Sequence, residues 1–160
     1  CISAITTEPP WLASMRAVAG RLQFRAAHSG AVLIDDSYNA NPSSMRAAVD
    51  VLAGISARRW LVVGDMAELG DFTTASHAEI GAYARANGIE RLLAIGQHTP
   101  LAVEAFGPGA EWFADGDALV RSISPALTAD ICVLIKGSRV NRLERVVEAL
   151  AGRNTLQRAG

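Results

Sequence analysis

Five apolar, β-prone runs recur along this chain: AVLIDD at 31–36, WLVVGD at 60–65, RLLAIG at 91–96, EWFA at 111–114 and ICVLIKG at 131–137. Most are apolar across several consecutive residues rather than alternating, which is the pattern of strands covered on both faces. Helical spacing lies between and after them. Met45, Ala48, Val49 and Leu52 fall at i, i+3, i+4 and i+7, and Leu143, Val146, Val147 and Leu150 repeat the pattern. Strands that alternate with helices predict an α/β fold, a mostly parallel sheet with helices on both faces. Upstream, RLQFRAAHSG alternates modestly and ends on the turn pair Ser29-Gly30, so a hairpin is expected to join the sheet there.

Local signals fix some helix ends. Asn41 before Pro42 offers a capping side chain followed by proline in the first turn. Ser76 with Glu79 reads as a capping box opening HAEIGAYARANG, with Gly88 closing that helix. Residues 1–20 carry the break Pro9-Pro10 and read as a linker or the tail of a preceding domain, although WLASMRAV has one or two turns of helical character. The start at Cys1 rather than Met reads as a piece of a longer protein. There is no internal repeat and no low-complexity tract.

Half of the 160 residues are apolar, enough for a real core in one domain. A formal net charge of −1 gives no basic stripe for nucleic acid. No apolar run approaches the ~20 residues that span a bilayer, so membrane insertion is not expected, and no secretory signal pattern opens the chain. Two cysteines exclude a disulfide framework; Cys132, inside an apolar run, reads as a buried reduced thiol. Together these fit a cytoplasmic protein.

In a parallel sheet, ligands bind beyond the carboxyl ends of the strands. Three of those ends carry polar clusters. DDSYNANP, at 35–42, places a carboxylate, a tyrosine ring and two asparagines ahead of a helix. Asp36 suits ribose hydroxyls, Tyr38 a base, and Asn39 and Asn41 either donor or acceptor groups. A capped turn, with Asp36 and Asn41 bonded to backbone, accounts for only part of this set. VVGDMAELGDF, at 62–72, offers Asp65 and Glu68 to an ammonium group, or else is a solvated loop. LIKGSRVNRLE, at 134–144, carries Lys136, the only lysine among fifteen basic residues, with Ser138 and Arg139. These suit a carboxylate or phosphate, or else balance nearby acids. His28, His77 and His98 have no metal-ligand spacing, and His77 reads as a surface or capping residue near the second loop that could also line the cleft. There is no GxxxxGK[ST], GxSxG or GxGxxG, which argues against a self-contained ATPase, a serine hydrolase or a dehydrogenase. The residues alone describe a binding half-site, with no catalytic residue or metal site.

DDSYNANPSSM, VVGDMAELG and KGSR, in that order and at these separations, resemble the carboxyl-terminal domain of the Mur ligases. The similarity runs from about Arg21 to Gly152. YNANP is its specific part and points to the branch that joins D-Ala-D-Ala to a UDP-N-acetylmuramoyl-tripeptide. The resemblance implies a Rossmann-like three-layer domain of about six strands at 21–152, with 153–160 a flexible tail. It implies a longer chain with an amino-terminal domain for the UDP substrate and a central ATPase domain holding most of the Mg²⁺. ATP would convert the tripeptide carboxylate to an acyl phosphate that the dipeptide amine attacks. Carried over by residue, Arg21, Asp36, Tyr38, Asn39 and Asn41 would serve ATP. Asp65, Glu68, Lys136, Ser138 and Arg139 would serve D-Ala-D-Ala. Around Arg21 the family's Pro-Gly-Arg-Leu is Ala19-Gly20-Arg21-Leu22 here. A binding module without chemistry and a sister ligase with another acceptor are the alternatives.

Overall fold

A computed structural model describes residues 22–151. Arg21, the segment 1–20 and the tail 153–160 lie outside them. Among the described residues, six strands form one sheet: β1 (Gln23–Ala26), β2 (Val32–Asp36), β3 (Arg58–Val63), β4 (Arg91–Ile95), β5 (Ala110–Phe113) and β6 (Ile131–Lys136). Their order is β1-β2-β6-β3-β4-β5. β1 pairs antiparallel to β2 through a turn that uses Gly30 at φ +88°. All other pairs are parallel. The α/β expectation, with a hairpin strand on a parallel sheet, matches this topology.

Among the described residues, five α-helices cover the sheet: α1 (Pro42–Ala53), α2 (Thr73–Ala86), α3 (Pro100–Phe106), α4 (Gly116–Ile123) and α5 (Glu144–Leu150). The strand pleat sorts the core into two layers. Val32, Ile34, Leu61, Val63, Leu92, Cys132 and Leu134 pack with α1, α2 and α3. Leu33, Trp60, Val62, Leu93, Val133 and Ile135 pack with α4 and α5. Successive residues of one strand therefore enter opposite layers, which is why these strands are apolar without alternation. Met45, Ala48, Val49 and Leu52 are all buried, as are Leu143, Val146, Val147 and Leu150.

Asn41 caps α1 as expected: its side chain accepts from Ser44 N–H at 2.8 Å, and the Ser44 hydroxyl accepts from Asn41 N–H at 3.0 Å. The Ser76–Glu79 box does not form. α2 starts four residues earlier, at Thr73, because a 3-10 turn at Gly70–Phe72 leads directly into it and the Thr73 hydroxyl donates to Gly70 O at 2.7 Å. Ser76 is thus inside the helix and buried, and Glu79 pairs with Arg46. Gly88, at φ +76°, follows the helix end.

Cys132 is fully buried, and desolvation pushes its thiol up to about 12. In a Cys1→Ser background no thiol should react with a disulfide reagent at pH 8 until denaturant unfolds the chain; rapid labelling of the folded chain would contradict this burial. A second expectation concerns helix contact. A Cβ on Gly81 would overlap the Ala102 carbonyl oxygen of α3. Gly81→Ala should cost about 1–3 kcal/mol despite alanine's better helix propensity, and a neutral or stabilising result in urea unfolding would show that α2 and α3 can separate freely.

Candidate functional site

The parallel ladder sets the ends of β2, β6 and β3 level. Asp36 pairs in register with Lys136, and Lys136 with Val63. The three polar clusters therefore lie side by side at one edge of the sheet, with the β6 cluster in the middle.

Lys136 is 3% exposed. Its ammonium donates to Asp36 Oδ2 at 2.9 Å and to Asn39 O at 2.9 Å. It balances a neighbouring acid and holds the β2–α1 loop, rather than facing the second cluster. Asp36 remains partly exposed, with its side chain 25% accessible. Asp35, not Asp36, makes the local turn: its Oδ1 accepts Ser37 N–H at 3.0 Å and the Ser37 hydroxyl at 2.6 Å. Asn39 spends its Oδ1 on Ala40 N–H at 2.8 Å, and Asn41 spends its own on the helix cap. Tyr38 is 71% exposed. The Arg139 guanidinium lies 4.6 Å from the ring centroid, a cation–π contact. Asp36, Tyr38, Arg139, Arg142 and Glu144 line a cleft of about 460 Å³. Its chemistry fits a nucleoside: an acid beside an exposed aromatic ring, with guanidinium groups near.

A second cleft, about 290 Å³, lies across β6 and is lined by Asp65, Glu68, His98, Ser138 and Val140. The Asp65 carboxylate is already engaged. Its Oδ2 accepts Gln97 N–H at 2.8 Å and its Oδ1 accepts His98 N–H at 2.9 Å, pinning the β4–α3 turn. Gly96 makes this possible, since a Cβ there would sit 2.5 Å from Asp65 Oδ1. Glu68 is exposed, with a left-handed backbone at φ 61°. Ser138 is buried; its N–H donates to Asp65 O at 2.9 Å and its hydroxyl to Asn141 Oδ1 at 3.2 Å.

The structure thus gathers Asp36, Tyr38, Lys136 and Arg139 on one side and Asp65, Glu68 and Ser138 on the other. Sequence reasoning had grouped Lys136 and Arg139 with the second set. His77, expected as a surface or capping residue that could also line the cleft, is instead 2% exposed, on the buried face of α2 with Ile80, Gly81 and Ala84. A third cleft of about 310 Å³, lined by Asp115, Asp117, Arg142 and Arg145, was not anticipated. Its one sequence signal is Asp115, which caps α4 by accepting Ala118 N–H at 2.8 Å. Among the described residues, no three His, Cys, Asp or Glu side chains are grouped to hold a metal.

Removing Lys136 should leave the Asp36 carboxylate and the Asn39 carbonyl without their donor. Lys136→Met should cost about 2–3 kcal/mol, below the ~3–5 kcal/mol of a fully buried pair because Asp36 reaches water. Adding Asp36→Asn should restore part of the loss. Additive losses in urea unfolding would show that the two side chains are not coupled.

The description "Mur ligase, glutamate ligase domain" matches residues 20–139. The chain is 44% identical to the UDP-N-acetylmuramoyl-tripeptide--D-alanyl-D-alanine ligase of Escherichia coli over 90% of its own length and 32% of that protein's. It is 34% identical to the enzyme of that name from Mycobacterium tuberculosis, over 96% of this chain and 34% of the relative. The chain thus spans about a third of the length of these curated relatives. A crystal structure of MurF from Acinetobacter baumannii superposes with a TM-score of 0.73 at 30% identity, covering 82% of this chain and 30% of that one. Matched in sequence across most of its length and in fold to solved members, this chain belongs to the Mur ligase family, as its carboxyl-terminal domain.

Proposed function

We propose that this domain works in an ATP-dependent ligase that joins D-Ala-D-Ala to UDP-N-acetylmuramoyl-tripeptide, within a longer chain that supplies the central and amino-terminal domains. The observation that carries this reading is the pair of clefts on opposite sides of β6. One has nucleoside chemistry, the other an exposed acid suited to an amine. The names of the relatives supply the substrates. In this reading residues 21–152 are the domain, 1–20 its linker and 153–160 a tail. The use of ATP and a UDP-linked precursor makes the cytoplasm its compartment.

The chemistry needs an activated carboxylate and a free amine. ATP bound with Mg²⁺, held mainly by the central domain, supplies the phosphoryl group that activates the tripeptide carboxylate. Amine attack then forms the amide and releases phosphate. This chain's residues bind and orient. Asp36 takes ribose hydroxyls with the oxygen that Lys136 leaves free, while Tyr38, steadied by Arg139, stacks on the base. Asn39 and Asn41 shape the loop beneath them, and Arg21 serves the ATP phosphates. Across β6, Glu68 takes the dipeptide ammonium, in a cleft wall built by Asp65 and Ser138. Closing this domain on the central one would exclude water from the acyl phosphate. Residues 1–160 alone are therefore expected to form no amide, since they lack a phosphate loop.

The test uses the full-length protein with UDP-N-acetylmuramoyl-tripeptide, ATP and Mg²⁺. D-Ala-D-Ala, D-Glu and a diamino acid are offered in turn while phosphate release is followed. Release with D-Ala-D-Ala alone is expected. Release with another acceptor would move the specificity to a sister ligase, and no release at all would leave a binding module. With the active enzyme, Asp36→Asn and Tyr38→Ala should raise KM for ATP well above any change in KM for the dipeptide. The position of Arg139 over Tyr38 puts Arg139→Ala in the same group. Equal effects on both substrates would reduce Asp36 to a structural partner of Lys136.

A further inference from the structure

We infer that His77 is a positioning residue for the acceptor cleft, acting through the backbone that carries Glu68. The inference rests on the reading of the second cleft as the acceptor site. Thr73 O can only accept, so His77 Nδ1, 2.6 Å away, carries the proton. Met66 N–H can only donate, so Nε2, 3.0 Å away, presents its lone pair. The partners thus select one neutral tautomer. Asp65 Oδ1 lies 3.8 Å from Nε2, outside hydrogen-bond range. The ring is a strut between the first turn of α2 and the start of the loop.

The loop beyond that strut is strained. Glu68 is not glycine, yet it sits at φ 61°. Such a conformation persists only where its surroundings hold it. On one side, Asp65 is fixed by the Ser138 and Gln97–His98 amides, and Met66 by His77. On the other, Phe72 N–H donates to Leu69 O at 3.1 Å, and the Thr73 hydroxyl to Gly70 O. Both anchors meet at the Thr73–His77 turn, where the Thr73 carbonyl receives the histidine proton. Among the described residues, His77 alone ties that turn to Met66 by a side-chain hydrogen bond, and Met66 N–H is two residues from the Glu68 backbone. Removing the imidazole frees the loop to leave the left-handed region, and the exposed Glu68 carboxylate moves with it.

The experiment measures steady-state kinetics of the full-length enzyme, varying ATP and D-Ala-D-Ala separately. His77→Ala should raise KM for the dipeptide roughly tenfold to a hundredfold, the scale of an ångström-sized misplacement, and leave KM for ATP unchanged. His77→Gln, whose carbonyl can accept Met66 N–H, should recover most of the loss, whereas His77→Asn is too short to reach it. In a Glu68→Ala background, His77→Ala should add little, because both act on one contact. Additive effects, an equal rise in KM for ATP, or no effect would overturn the inference. Should His77→Ala fail to fold, the Gln and Asn variants decide, and equal dipeptide KM values for these two would overturn it. The failures separate. Wild-type enzyme that does not use D-Ala-D-Ala, or a Glu68→Ala enzyme with unchanged dipeptide KM, overturns the acceptor-site reading and this inference with it. Normal wild-type activity with a sensitive Glu68 and an insensitive His77 overturns the positioning role alone.

Discussion

An ammonium group at the end of a strand whose six residues are all buried requires a partner, because the desolvation of an unpaired charge there exceeds what packing returns. Lys136 finds that partner in Asp36, its register neighbour on β2. The second bond, to Asn39 O, closes the β2–α1 loop over the same ammonium. The loop conformation that exposes Tyr38 is thereby tied to the sheet rather than left to the turn itself. One residue further, Gly137 allows β6 to run against β3: a Cβ there would lie 2.9 Å from Gly64 Cα. Ser138 N–H then reaches Asp65 O. The stretch Lys136–Ser138 consequently lies between the two clefts, with its buried ammonium fixing the loop beside one and its backbone the loop beside the other.

Much of this was legible in the residues. The uninterrupted apolar runs gave the strands, since a strand covered on both faces has no polar side to show. Asn41 and Pro42 gave the start of α1, because capping is a local interaction between residues three apart. What sequence could not show is long-range pairing. Lys136 and Asp36 stand 100 positions apart, and nothing local tells an amine that binds a substrate from one that neutralises a strand end. The same holds for Asp65, whose partners are 32 and 33 residues away. The Ser76–Glu79 box fails for a different reason. The local motif is present, but the turn at Gly70–Phe72 delivers the chain already helical at Thr73. His77 is buried because it shares a helix face with Ile80, Gly81 and Ala84, and nothing local to it names Met66 N–H as its partner.

The two ends of the sheet satisfy their polar groups differently. At the amino-terminal end, Arg58 bonds Glu90 through two nitrogens, at 3.1 and 2.7 Å, and approaches Asp130. The Arg58 guanidinium holds the Glu90 carboxyl below the usual carboxylate range. Arg91 pairs with Glu111 on the next strand. These are exposed pairs between complete partners, screened by water and worth little individually. They close that edge with partners drawn from neighbouring strands and loops.

At the carboxyl-terminal end the polar groups are satisfied unevenly. Lys136, His77 and Ser138 are buried and hydrogen-bonded within the fold, while Tyr38, Glu68 and Arg139 beside them are exposed. The two non-glycine residues with left-handed backbone among the described residues, Glu68 and Arg142, both lie at this edge and both line clefts. A chain under selection for stability alone would place glycine at such positions. Keeping a charged side chain there costs conformational energy, and that cost is offset only if the side chain is needed outside the fold. Buried groups that fix the backbone, set beneath exposed groups that the fold does not use, are what a binding surface requires. The strain sets the carboxyl-terminal end of the sheet apart from the amino-terminal one.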